Sequence, residues 1–220
     1  MAFPILSLTT VVMECISSII SFVIGYYAMR GYRATSSRGL FLLYWGFIIL
    51  GVGTFLRVFT ATYISVLTRH EGAAALRSLI NLVASIYSIT LLIAYSLFVA
   101  TYVFQTRITS EAKTTTGTAL AAVAAAVIPI YRLFFIQWLD LIAATMLAFI
   151  TVSTFINWRF KKSSESALVC LGFGLLLLSH LFFLFILLNV TLLFVGEVTQ
   201  LVGFLCLLAM LVKVSRANEQ

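Results

Sequence analysis

Long apolar runs, separated by short polar stretches, dominate the hydrophobic pattern of this chain. Seven runs fall at about 5–28, 40–66, 78–104, 117–135, 137–158, 167–188 and 190–212. Each has at least about 18 residues, the length that lets an α-helix cross a hydrocarbon core of roughly 30 Å. Backbone polar groups must be satisfied internally in lipid, so the runs are predicted to be helices. The pattern therefore predicts an all-α, polytopic membrane protein: one seven-helix transmembrane domain over residues 1–220.

Composition supports a lipid bilayer as the solvent. Of the 220 residues, 62% are hydrophobic and only 10% are charged, whereas a soluble domain carries about 25% charged residues. The net charge of +7 comes from basic residues between the runs, which we interpret as membrane topology and not as a nucleic-acid site. The first run has neither preceding basic residues nor a small-residue cleavage site, so it is expected to be a permanent helix.

Lysine and arginine are distributed unequally between the two sets of loops. Three lie in one set: Arg69, Arg77 and Arg132. Ten lie in the other set and the C-terminal tail: Arg30, Arg33, Arg38, Arg107, Lys113, Arg159, Lys161, Lys162, Lys213 and Arg216. The richer set is expected in the cytoplasm. The sequence thus predicts a cell-membrane protein with its N-terminus outside and its C-terminus in the cytoplasm.

A second pattern relates the two ends of the chain. The positions Arg33, Ser37, Leu42, Gly46-Phe47 and Leu50 can be laid over positions 159, 163, 168, 172–173 and 176 at a constant offset of 126. This alignment favours a parallel repeat of three helices, one linker helix and three helices. The alternative is that two turns between hydrophobic helices resemble each other by composition. Glycines of the second span, among them Gly46 and Gly51, predict close helix packing.

Four ionisable residues lie well away from the ends of the predicted spans, where each costs at least a few kcal/mol and requires a physical reason. They are Glu14, Arg57, His180 and Glu197. With a rise of about 1.5 Å per residue, all four lie roughly 10–14 Å below the outer surface. We therefore predict a polar cluster in the outer half of the bundle.

Arg57 stays protonated, so it needs a carboxylate or a water-filled cavity. Glu14 and Glu197 are the available carboxylates at this depth. Such a cluster is a candidate substrate site, ion site or proton relay. The alternatives are an ion pair that only fixes helix packing, or an Arg57 that extends to the outer headgroups.

Further polar side chains extend this candidate site. Tyr87 lies near the predicted cluster level and shares a helix face with Tyr95 and Tyr102, and Gln200 follows one turn after Glu197. Tyrosines in this arrangement are also typical of packing and interface anchoring. Asp140 falls at the turn after the fourth run and is interpreted as a surface residue.

The sequence predicts no cofactor, metal site or enzyme activity. His180 is the only histidine within a span, which disfavours bis-histidine haem, although its ordinary pKa near neutrality suits a proton switch. Glu14, His180 and Glu197 have no metal-ligand spacing. None of the soluble-enzyme motifs sought, such as GxSxG, a Walker loop or HExxH, is present.

The run Glu197-Val-Thr-Gln-Leu201-Val-Gly203-Phe204 resembles the last helix of microbial rhodopsins. The resemblance places Glu197 at the counter-ion position and Leu201 at the retinal-lysine position. Leucine cannot form a Schiff base, so the resemblance implies an opsin-related protein without its chromophore. The repeat and the N-out topology also resemble the SWEET sugar transporters, but here the only prolines are Pro4 and Pro129, so hinges in several spans are not encoded.

These observations favour a small-solute or ion carrier, with proton coupling as one form of it. The candidate binding residues are Glu14, Arg57, Tyr87, His180, Glu197 and Gln200. The alternatives are a seven-helix sensor related to opsins and an accessory subunit of a larger membrane complex. The sequence leaves open a homo-oligomer or a membrane partner protein.

Overall fold

The computed structural model describes residues 2–67, 73–106, 135–185, 189 and 191–217, which are nearly all helical. The helices are α1 (Ala2–Thr35), α2 (Arg38–Leu67), α3 (Ala73–Thr106), α4 (Phe135–Lys161), α5 (Ser164–Leu184) and α6 (Thr191–Ala217). All six are long and apolar enough to cross a membrane. The prediction of an all-helical, multi-pass protein is confirmed for these six. The predicted span at 117–135 lies outside the described residues.

The six described helices form a closed ring. Each helix contacts the next one along the chain, and α6 returns to contact α1. Six helix termini meet at one end of this ring: the ends of α1, α3, α4 and α6 and the starts of α2 and α5. Basic residues gather there, and we call it the basic end; they include Arg30, Arg33, Arg159, Lys161 and Lys213. The other end is the opposite end.

Two tight turns at the basic end have the same construction. Ser36 joins α1 to α2 with φ 53°, and Lys162 joins α4 to α5 with φ 50°. In each turn that residue's N–H donates to a carbonyl four residues earlier, Tyr32 or Trp158, at 2.7 Å. Both helices thus continue past the predicted apolar edges, because a helix extends through basic interfacial residues that hydropathy excludes.

The turn between α5 and α6 differs from the prediction. The sixth span was expected to run to residue 188, but α5 ends at Leu184, and Phe185 is its C-cap. Residues 185–188 are all apolar, so hydropathy alone cannot locate this helix end. Asn189 precedes α6, and its Oδ1 accepts a hydrogen bond from the Thr191 N–H at 3.0 Å.

Aromatic side chains fill the ring towards the basic end. Phe98 lies between Phe47 and Phe173, with ring centroids 4.6 Å and 5.9 Å away. All three are at most 1% exposed. We call this group the aromatic layer. Gly46 makes room for it, since a Cβ there would overlap the Phe98 ring. The predicted close packing at Gly51 is also present, against Phe22 of α1.

Candidate functional site

Arg57 of α2 binds two carboxylates from two other helices. Its Nε donates to Glu14 Oε2 at 3.0 Å, and its Nη2 donates to Glu14 Oε1. The same Nη2 donates to Glu197 Oε1 at 3.0 Å. The predicted pairing is therefore present with both glutamates, and α1, α2 and α6 are joined by one guanidinium. A planar guanidinium suits this role because its fixed donors match carboxylates in two directions.

The fourth member of this group is Tyr87 of α3. The Cζ of Arg57 lies 4.5 Å from the centroid of the Tyr87 ring, which is a cation–π distance. The ring covers the guanidinium without contributing charge. We call Glu14, Arg57, Tyr87 and Glu197 the Arg57 cluster. Sequence reasoning placed Tyr87 near this level, and the structure brings it into contact with Arg57.

The Arg57 cluster holds more negative than positive charge when its acids are ionised. Two carboxylates face a single guanidinium, so the sum is one negative charge. The Glu14 and Glu197 side chains are only 8% and 2% exposed, whereas that of Arg57 is 30% exposed. Uncompensated buried charge is costly, so the cluster favours the uptake of one further cation or proton.

His180 belongs to a second group. Its Nε2 lies 2.8 Å from the Tyr95 hydroxyl, and its Nδ1 lies 3.1 Å from Asp140 Oδ1. His180 is 2% exposed and Tyr95 is fully buried, while the Asp140 side chain is 27% exposed. We call these three residues the His180 network. The expectation that His180 would join the glutamates and Arg57 is not met, because its ring nitrogens face α3 and α4.

Asp140 was wrongly interpreted as a surface residue. It lies in the first turns of α4, where its side chain reaches His180 of α5. The sequence held a signal for it: the repeat offset of 126 places Asp140 opposite Glu14. A carboxylate on α1 therefore binds Arg57 of α2, and a carboxylate at the equivalent position on α4 binds His180 of α5.

Together the two groups draw on all six described helices. The Arg57 cluster uses α1, α2, α3 and α6, and the His180 network uses α3, α4 and α5. Gln200 is 5% exposed and lies one turn of α6 from Glu197, towards the basic end. The polar residues thus occupy the ring between its opposite end and the aromatic layer, where Tyr95 and Phe98 lie 6.1 Å apart by ring centroid.

The two groups consist of hydrogen-bonded acids, a base and hydroxyls, and not of a convergent set of metal ligands. Among the described residues, no three His, Cys, Asp or Glu side chains converge as a metal site would require. The oxygens of Glu14 already accept from Arg57, and both ring nitrogens of His180 have partners. Both groups are instead hydrogen-bonded chains that a proton could enter.

A cavity lies on the other side of the aromatic layer. It has a volume of about 250 Å³, and residues from α1 to α6 line it. Phe47 and Phe173 form part of its wall, and Lys161 lies at its basic end. We call it the basic-end cavity. No sequence pattern pointed to it, because its polar residues are spread over three helices.

Leu201, which takes the lysine position in the rhodopsin-like run, packs against the hydrophobic core. Glu197, one turn earlier on the same helix, accepts a hydrogen bond from Arg57. All four lysines of the chain, residues 113, 161, 162 and 213, fall outside the predicted spans. Comparisons with protein-family models, with curated proteins and with solved structures find no match for this chain.

Proposed function

We propose that this chain is a membrane carrier that couples the passage of a small solute or ion to protons. The charge excess of the Arg57 cluster is the observation that supports it most. A purely structural ion pair needs one carboxylate for one guanidinium. A second buried carboxylate adds a desolvation cost, and the described residues place no further cation beside it. A site that gains a proton in one state and loses it in another gives that second carboxylate a role.

The His180 network supports proton coupling independently. A histidine that is hydrogen-bonded to a hydroxyl through one ring nitrogen and to a carboxylate through the other can relay a proton between them. Asp140 is its more exposed end, while Tyr95 leads inward to the aromatic layer. In the proposed cycle, protons reach both groups from the opposite end, and the solute enters from the basic-end cavity.

We also propose that the carrier is built from the parallel repeat. The two basic-end turns, the acids Glu14 and Asp140 and the buried residues Phe47 and Phe173 all match at the offset of 126. Gly46 packs on α3 and its counterpart Gly172 packs on α6, the third helix of each proposed half. Movement of one half against the other would open the aromatic layer, since each half supplies part of it.

We place the basic end in the cytoplasm, which can be checked directly. In a background with Cys15, Cys170 and Cys206 replaced by Ala, Ala34→Cys should react with a membrane-impermeant maleimide only from the cytoplasmic side. Glu71→Cys, between α2 and α3, should react only from outside. The physical basis is the unequal distribution of Lys and Arg. Labelling in the reverse order would overturn the orientation.

Proton coupling predicts a separation of stability from activity in Glu197→Gln. This variant keeps one carboxylate for one guanidinium, so its free energy of unfolding should stay within about 1 kcal/mol of the wild type. The exchangeable negative charge is lost, so coupling should disappear. The protein is reconstituted into liposomes that contain a pH-sensitive dye. A panel of amino acids, sugars, nucleosides, carboxylates and inorganic cations is then added outside, one compound at a time.

The wild type should show solute-driven pH change in the vesicles with at least one class of the panel. Glu165→Gln is the matched control, because that glutamate pairs with Lys213 at the basic end, outside the Arg57 cluster. It should retain the flux. A stable Glu197→Gln protein with undiminished flux would contradict the proposal. A wild type that moves neither protons nor labelled solutes would favour the sensor or subunit alternatives.

A further inference from the structure

We propose that the basic-end cavity binds a small organic monoanion, a carboxylate with a compact apolar body. This inference rests on the proposed function and names its substrate class. The argument starts from size. Pockets for drug-sized ligands measure about 300–1,000 Å³, and the cavity, at about 250 Å³, is smaller. Its volume fits a solute of one ring or a short branched chain.

The wall of the cavity is divided by polarity. Its apolar part contains the aromatic layer residues Phe47 and Phe173, with Leu207 of α6 beside them. Its polar part contains hydroxyls from three helices, on Thr101, Thr154 and Ser166, which are each at most 9% exposed. These hydroxyls already donate to backbone carbonyls of their own helices or turn, so they make the wall polar without offering a free donor. A ligand with one apolar and one polar side matches this division of the wall.

Charge decides which polar group the ligand carries. Lys161 lines the cavity and, among the described residues, makes no ion pair. The described carboxylate nearest in sequence, Glu165, is held by Lys213 at 2.9 Å. Helices α2 and α5 also begin at this wall, through Gly39 and Ser166, and helix N-termini favour anions. A carboxylate on the ligand would supply the negative partner that the Lys161 ammonium group lacks.

The position of the cavity fits the charge of the Arg57 cluster. An anion in the basic-end cavity and a proton on the Arg57 cluster carry opposite charges, so the protein with both bound gains no net charge. The aromatic layer separates the two in the described arrangement. Passage of the solute therefore requires Phe47, Phe98 and Phe173 to part, which the proposed movement of the two halves would allow.

The test compares three probes of equal size and different charge. Benzoate, benzamide and benzylammonium are titrated into the purified full-length protein in uncharged detergent, and binding is followed by calorimetry. Benzoate should bind at least about tenfold more tightly than benzamide, since a hydrogen bond to a charged group adds roughly that factor. Benzylammonium should show no binding. Equal binding of all three, or none by benzoate, would overturn the proposal.

Lys161→Met should weaken benzoate binding by about tenfold and leave benzamide unchanged. Lys162→Met is the matched control, because it removes the same charge from the neighbouring residue, which does not line the cavity. It should alter benzoate binding less than twofold. Equal losses in both variants would mean that general basic charge, and not the cavity, attracts benzoate.

Titration of phosphatidylglycerol into the micelles separates a solute site from a lipid site. Benzoate binding that persists at saturating anionic lipid supports the proposal, and full displacement by the lipid overturns it. These measurements use no proton gradient. Benzoate binding without proton-coupled flux would refute the proposed function alone, while flux with benzoate excluded from the cavity would refute this inference alone.

Discussion

Arg57→Met is expected to lower the free energy of unfolding by about 3–5 kcal/mol, the largest single effect in this chain. The change strands Glu14 and Glu197, two buried carboxylates that share one nitrogen of the guanidinium. Thermal melts in detergent measure the loss. Arg159→Met, which removes an exposed arginine at the basic end, is the control and should stay within about 0.5 kcal/mol of the wild type.

A double-mutant cycle then divides the loss between the two partners. Glu14→Gln should rescue Arg57→Met more than Glu197→Gln does, because Glu14 accepts from both Nε and Nη2. The combination of all three changes should recover most of the stability, since no buried charge remains. Coupling below about 0.5 kcal/mol for both glutamates would mean that the cluster does not form.

Gly172→Ala should destabilise the protein by about 1–3 kcal/mol through overpacking. A Cβ at Gly172 would lie 2.7 Å from Leu207 and 3.1 Å from the carbonyl oxygen of Gly203. Gly203→Ala should behave similarly, because its Cβ would lie 3.0 Å from the carbonyl oxygen of Gly172. Backbone atoms of α5 and α6 must move apart to accept either methyl group. Both effects are measured as shifts in the unfolding midpoint.

Gly174→Ala is the matched control on the same helix. The nearest atom to its added Cβ would be Thr151 Cγ2 at 3.8 Å, an ordinary contact. Alanine is also the better helix former by up to about 1 kcal/mol, so this variant should be neutral or stabilising. A Gly172→Ala protein as stable as Gly174→Ala would show that α5 and α6 are not closely packed at Gly172.

Hydropathy and charge were enough to predict the six described helices and the pairing of Arg57. Both follow from strong local costs: unsatisfied backbone groups in lipid for the helices, and an unpaired cation for Arg57. The same logic missed Asp140, because a carboxylate near the end of a span can be hydrated at little cost in free energy. Its position alone therefore does not indicate a buried partner. Its role depends on the orientation of α5, which places His180 next to it.

The direction in which the His180 ring points could likewise not be predicted from its depth in the span. Depth along a helix can be estimated by counting residues, and it placed His180 and Arg57 at one level. The direction in which a side chain points around the helix axis depends on how the six helices pack into a ring. That packing is set by the contacts of all neighbouring helices. Counting residues therefore indicated that His180 and Arg57 both lie inside the bundle. It could not show that they belong to separate groups, so the prediction of one common cluster was wrong for His180.

The charge excess of the Arg57 cluster has an electrical consequence. Glu14 and Glu197 lie inside spans that start at Thr9 and Thr191, so a proton reaching them from the opposite end crosses part of the membrane potential. A full crossing by one elementary charge is worth about 2.3 kcal/mol per 100 mV, and a partial crossing a proportionate share. Under the proposed function, the proton occupancy of the site would therefore depend on voltage as well as on pH. With the opposite end outside, as proposed, a membrane potential that is negative inside would raise the proton occupancy of the cluster.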